Sequence, residues 1–105
     1  MIKSEDLYVG QKLWYMYFRV NKGAMHEPVL AIVKKFESTW RFQVELEDPK
    51  SGTIIISELR DLYQTESDAW EAWNSGIYNR IDYLRSKFEK EIKRLKQKLY
   101  NVNDV

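Results

Sequence analysis

The spacing of apolar residues changes once along the chain, near Thr65, and that change limits the fold more than any other feature. Beyond it, apolar side chains fall at Trp70, Trp73, Ile77, Ile81, Leu84, Phe88, Ile92, Leu95 and Leu99, at intervals of 3, 4, 4, 3, 4, 4, 3 and 4. This is an eleven-residue repeat: Trp70, Ile81 and Ile92 are equivalent, as are Trp73, Leu84 and Leu95, and Ile77, Phe88 and Leu99. Eleven residues in three turns is about 3.67 per turn, close to the natural helical value, so the apolar stripe stays on one face with little supercoiling. Thr65 or Ser67 can cap the start, where Glu66, Asp68 and Glu71 suit the positive end of the helix dipole. Lys93, Arg94, Lys96 and Lys98 suit the other end.

The spacing predicts a helical arm over residues 65–101, followed by a disordered tail at 102–105. Asn74-Ser75-Gly76 is its weak point, since glycine inside a helix costs about 1 kcal/mol against alanine. Either one helix runs from about Glu66 to Tyr100, or a kink at Gly76 divides it. Unbroken, it spans roughly 50 Å at 1.5 Å per residue, more than a small head can shelter. The seam of Ile81, Leu84, Phe88, Ile92, Leu95 and Leu99 then needs cover. A second copy of the helix is the simplest cover and predicts a homodimer; a folded-back helix or another protein serves as well.

Before Thr65 the period is two, the mark of strands. Gln11 to Val20 carries Leu13, Tyr15 and Tyr17 on one face and Trp14, Met16, Phe18 and Val20 on the other. Both faces are apolar, so this strand is covered on both sides or displays an aromatic surface. Pro28 to Glu37 supplies a second strand. Thr39 to Glu47 alternates, with Trp40, Phe42, Val44 and Leu46 inward and Arg41, Gln43, Glu45 and Glu47 outward. Asp48-Pro49-Lys50-Ser51-Gly52 is a turn, and Thr53 to Ser57 is a fourth strand. Residues 57–63 hold a helical turn and a last short strand through Leu59 and Leu62. The polar stretch from Asn21 to Glu27 reads as a long loop between the first two strands.

Short sequential strands with apolar faces hide those faces and their edges by curling. The expected fold is α+β: a small, partly open five-stranded β-barrel over residues 1–64, followed by a long amphipathic helix with coiled-coil character. A chain of 105 residues with 44% hydrophobic and 31% charged residues suits one such domain and its appendage. Aromatic residues reach 14%, enough to build a small core from few side chains.

The same counts narrow the chemistry. Seventeen Lys and Arg against 16 Asp and Glu argue against a globally basic nucleic-acid coat. With no cysteine, disulfides, zinc-thiolate sites and thiol nucleophiles are excluded. One histidine cannot build a multi-histidine metal shell, so no metal and no cofactor are expected. There is no glycine-rich phosphate loop and no nucleophile elbow, and Glu45 and Glu47 alternate on an outward face with nothing to raise a carboxyl pKa. An enzyme is the class least supported. The start, Met1 to Asp6, is acidic where a secretory segment would be basic, and the longest apolar run, Pro28 to Val33, is too short to span a bilayer. A cytoplasmic protein with no membrane partner is expected.

Two groups of residues are candidates for contact. Trp14, Arg19, Lys22, His26 and Arg41 converge near one rim of the barrel, where aromatic faces beside guanidinium groups suit either a base and phosphate or a protein anchor. Trp40 can join the same rim but is expected in the core, and Trp14 is open between core and contact. His26 is the one side chain that titrates near neutrality by default, yet no nucleophile or acid partner accompanies it. Charge is also uneven: residues 1–79 carry a net −3 and residues 80–105 a net +4. Arg85, Lys87, Lys90, Lys93, Arg94 and Lys96 can track phosphates, or they form a solvated exterior paired with Glu89 and Glu91 at helical spacing. Trp70 and Trp73 are expected to pin the helix to the barrel.

Val9-Gly10-Gln11-Lys12-Leu13-Trp14-Tyr15 resembles the opening turn and first strand of small barrels of the Src-homology-3 type. Leu62-Tyr63-Gln64-Thr65-Glu66-Ser67-Asp68-Ala69 resembles the junction that closes such barrels in small proteins of bacteriophages and their hosts, which run a barrel into a C-terminal helix. The similarity covers residues 7–73. It implies a phage-like accessory protein that interferes with a host system, and it fixes no ligand. The expected function is a non-enzymatic binding protein, a phage-encoded accessory or anti-defence factor that occupies a host protein or sequesters a small nucleotide signal. The alternative expectation is a nucleic-acid-binding module working through the basic helix.

Overall fold

A computed structural model describes residues 2–47 and 52–99; the expected turn at 48–51 and the tail at 102–105 lie outside the described residues. Five antiparallel strands, β1 (Lys12–Arg19), β2 (Ala24–Phe36), β3 (Arg41–Leu46), β4 (Thr53–Glu58) and β5 (Leu62–Tyr63), precede one helix, α1 (Glu66–Gln97). A 3-10 turn at Ser4–Asp6 leads in, and another at Leu59–Asp61 joins β4 to β5. The order across the sheet is β4-β3-β2-β1-β5. β4 and β5 are its two edges, so the sheet is not closed by strand pairing.

The expected alternation places the core. Leu13 and Tyr15 of β1, Ala31 and Val33 of β2, Phe42, Val44 and Leu46 of β3 and Leu62 of β5 share one buried cluster. Ile2 and Leu7, either side of the first 3-10 turn, complete it. Two bulges keep the long strand β2 in phase with its neighbours. Tyr15 pairs with Val29 but Tyr17 pairs with His26, which leaves Glu27 and Pro28 opposite Met16 alone. Proline has no N–H to offer the ladder and is tolerated at such an irregularity. At the far end Val33 pairs with Val44 and Lys35 with Gln43, so Lys34 is the extra residue. The shift turns Phe36 onto the face of Phe42, whose ring it meets edge-on at 5.4 Å.

Several expectations change. The stretch 21–27 is not a long loop: β1 and β2 form a hairpin closed by Val20 to Gly23, and β2 already begins at Ala24. Gly23 adopts a left-handed φ of 66° and donates its N–H to the Arg19 carbonyl at 2.8 Å, a conformation glycine reaches without steric cost. Trp40 is not in the core. β3 starts one residue later, at Arg41, and Trp40 stands 52% exposed on the preceding turn.

α1 runs without a break through Gly76. Thr65 caps it, its hydroxyl accepting the Asp68 N–H at 3.1 Å. Gly76 is buried against β1: a methyl group there would come within 2.8 Å of Phe18 Cγ. The missing side chain is therefore the seat of the Phe18 ring, and close approach rather than a kink explains the glycine. Phe18 also meets Trp73 edge-on at 5.4 Å, and Met16 is buried on the same face of β1. Helix cover thus accounts for the second apolar face of that strand.

Candidate functional site

The residues expected at a barrel rim reach one end of the sheet only in part. Lys22 is exposed on the β1–β2 turn, and His26 is exposed on β2. The His26 ring lies edge-on to Tyr15 at 5.6 Å, with Nδ1 2.6 Å from the Glu27 carbonyl oxygen. A carbonyl only accepts, so Nδ1 carries the proton in that contact. Trp14 is half-buried on β1 between Leu30 of β2 and Tyr63 of β5, away from the hairpin tip. Arg41 is exposed on β3 opposite Glu58 of β4, its guanidinium 5.5 Å from the Trp40 ring.

Arg19 has a different occupation. Its two terminal nitrogens each donate to the Asp61 carboxylate at 2.9 Å, one of them also to Glu58 at 3.4 Å and the other to the Phe18 carbonyl at 3.2 Å. Four of its five N–H donors are spoken for, and the guanidinium also lies 4.2 Å from the Tyr17 ring centre. Asp61 is 5% exposed, so this pair ties the turn between β4 and β5 to the end of β1. Hydrogen bonding to Asp61 pushes the Arg19 pKa up and keeps the group charged. Burial, reinforced by the Asp61 charge, pushes Tyr15 up to about 12 and raises Tyr63 as well. Asp61 lies 42 positions from Arg19, and no local pattern announces it.

A further surface centres on Trp40, the rim candidate for which a core place was expected instead. With Leu59 and the stems of Glu58 and Arg60, it borders a shallow hollow of about 240 Å³. Arg60 Nε donates to Glu58 at 2.6 Å. An exposed tryptophan beside an arginine, over a small apolar depression, has the composition of a protein-contact anchor.

The second surface is the arm. The head grips α1 by a flank of small and half-buried residues, Ala69, Ala72, Trp73, Gly76, Arg80 and Tyr83. Arg80 fastens this flank by donating to the Val20 carbonyl in the β1–β2 turn. At about 100° per residue, that flank lies roughly a quarter turn from the apolar seam. Trp73 pins the helix as expected. Trp70 stands 38% exposed beside it, in edge contact with Trp73 at 6.3 Å. The stripe is half-buried at Trp73 and Ile77 and opens to water from Ile81 onward. Ile81, Phe88, Ile92, Leu95 and Leu99 are 44–74% exposed, and Leu84 is half-buried. Burying each such side chain fully is worth about 1.5–3 kcal/mol, so the seam is a large unused source of binding energy.

Around the rest of the arm stand Arg85, Lys87, Lys90, Lys93, Arg94 and Lys96, all exposed. Among the described residues no ion pair joins two side chains of α1; the four that form belong to the sheet and its turns. Projected at 100° per residue, Lys87, Lys90 and Arg94 share one side, Arg85 and Lys96 border the seam on the other, and Lys93 lies behind. The cations encircle the rod rather than forming one ridge. No described helix is long and apolar enough to cross a membrane. No family model, curated protein or solved structure matches the chain, so the reading of its function rests on these two surfaces.

Proposed function

We propose that the chain is a non-enzymatic binding protein whose arm joins two copies and whose head offers the Trp40–Arg41 patch to a macromolecular partner. The observation that carries this reading is the exposed seam, Ile81 to Leu99, on a helix that extends about 48 Å at 1.5 Å per residue. Contiguous apolar surface of this kind on a charged rod marks an interaction site. The head is read as an opened barrel of the Src-homology-3 type. Support comes from the meander of short strands and the return of β5 to the side of β1 after a 3-10 turn. The likeness of residues 9–15 and 62–69 to small phage proteins suggests a host factor as the target. Between a host protein and a small nucleotide, a protein is favoured, because Arg19, the natural phosphate clamp, is engaged by Asp61. The nucleic-acid reading is weaker, since the cations of the arm do not share a face.

Light scattering during size exclusion tests the first half of this reading. The wild type is expected at twice 12.7 kDa, and Phe88→Asp at the mass of one chain, because an unpaired charge is costly in a buried seam. A wild-type protein that runs as a monomer would remove the reading.

A further inference from the structure

One border of the sheet is left unguarded. β4 is an edge strand, and its pairing with β3 runs from Thr53 to Glu58 without a bulge. Edge strands are ordinarily protected by a charged side chain, a proline or a bulge that keeps other chains from pairing with them. Between Thr53 and Ser57 β4 carries none of these and presents Ile54 and Ile56, 56% and 45% exposed.

The register shows which backbone groups are spare. Leu59 donates its N–H to the Trp40 carbonyl at 2.8 Å, and bonded pairs alternate with unbonded ones along an antiparallel ladder. Phe42 with Ser57 and Val44 with Ile55 are therefore the bonded pairs. Ile54, Ile56 and Glu58 point their N–H groups and carbonyls away from β3, towards the open edge. Among the described residues the main-chain groups of Ile54 and Ile56 meet no partner. Alternating donors and acceptors in such a row match another extended main chain, and not a helix or a nucleotide.

The row ends at the apolar hollow of about 240 Å³ bordered by Trp40 and Leu59, which has room for one aliphatic side chain. Charge at that end is unbalanced. Three guanidinium groups, Arg19, Arg41 and Arg60, stand there against two carboxylates, Glu58 and Asp61, and Arg41 forms no ion pair among the described residues. A second copy of β4 does not complement this end. Laid antiparallel about Ile55, where the isoleucines pair with one another, it would be preceded here by Lys50, Ser51 and Gly52, a cation and no large apolar side chain. We infer that β4 takes up an extended segment of the partner protein as a sixth strand, with aliphatic residues at alternate positions along Ile54 and Ile56, another in the hollow and an acidic residue at the Arg41 end.

This inference deepens the proposed contact at Trp40 and Arg41 and rests on it, and the test separates the two. Short displayed peptides of random sequence, panned on the full-length chain, supply the probe. Enriched peptides are expected to combine an acidic residue with aliphatic residues at every second position; an unenriched library would overturn the inference. A synthetic copy of an enriched peptide then decides. Methylating alternate amide nitrogens is expected to abolish binding in one frame and to leave it within about twofold in the other, because strand addition uses every second N–H. Ile56→Pro removes an outward N–H and spares the β3 ladder. It is expected to keep the far-ultraviolet spectrum and to bind the peptide about tenfold more weakly; where it fails to fold, the methylation series decides alone. Peptides that need Trp40 and Arg41 yet are indifferent to the methylation frame and to Ile56→Pro would overturn strand addition and leave the contact surface standing. Peptides indifferent to Trp40→Ala as well would end both ideas. A Phe88→Asp chain that still scatters as a dimer, and as a monomer once Ile56→Pro is added, would put a second copy on this edge and overturn the inference.

Discussion

Arg19 is held in place by what it would otherwise have to reach for. Its guanidinium lies flat against the Asp61 carboxylate in a two-point contact that is among the strongest side-chain pairs available. Truncating it leaves Asp61 buried without a counter-charge. Arg19→Ala is therefore expected to lower stability by about 3 kcal/mol, read as a drop in the urea midpoint at unchanged slope. A residue that only met an outside ligand would move the midpoint by about 0.5 kcal/mol at most. The same environment sets an alkaline limit. Tyr15 ionises near 12 in the folded protein against 10 when exposed, so the fold favours its neutral form. That contribution is complete below pH 10 and is lost as the pH climbs towards 12. Urea midpoints should fall between about pH 10 and 12, with Tyr15 the last phenol to ionise by absorbance. None of this was legible in the sequence. Arg19 and Asp61 are 42 positions apart, and their meeting depends on β5 returning to the side of β1, which no local spacing encodes. Lys22 and His26 are exposed as any polar hairpin residues would be. Trp40 reads as a core residue because it continues the inward rhythm of Phe42, Val44 and Leu46, and only the late start of β3 turns it outward.

At the scale of elements, the change of period near Thr65 carried most of the fold. Periodicity shows which residues share a face, and so the core side of β1 and β3 and the whole of α1 could be read directly. It does not show where a strand begins when the preceding segment is polar, which is why Ala24 to Glu27 resembled a loop. Nor does it show whether curling strands meet, since closure depends on pairing between β4 and β5 rather than on the pattern within either. Glycine in a helix carried two opposite meanings, a break or a close approach, and composition cannot choose between them. Contact with Phe18 decides for the second, and it makes a signed forecast. Gly76→Ala should gain about 1 kcal/mol of helix propensity but lose more to the displaced ring, for a net loss of about 1 kcal/mol. In a Phe18→Ala background the ring is gone, and the same change should stabilise instead. A double-mutant cycle by chemical denaturation measures that reversal.

The whole molecule measures 74 × 30 × 24 Å, a head with a rod projecting from it. Its core, drawn from Ile2 to Leu62, contains no residue of the seam. The two proposed roles, self-association by the arm and partner contact by the head, are therefore separable. Phe88→Asp, which should halve the mass seen by light scattering, is expected to leave tryptophan emission and the near-ultraviolet spectrum of the head unchanged. Loss of helical signal should be confined to the arm, because short isolated helical segments are marginal in water.

The seat of Phe18 on Gly76 does more than let helix and sheet approach. It acts as a key that sets the azimuth of the rod. A helix free to roll a quarter turn could lay the near end of its greasy line, around Ile77 and Ile81, on the head. The ring lodged in that notch forbids the roll, so one absent methyl group decides which side of the rod is left facing the solvent.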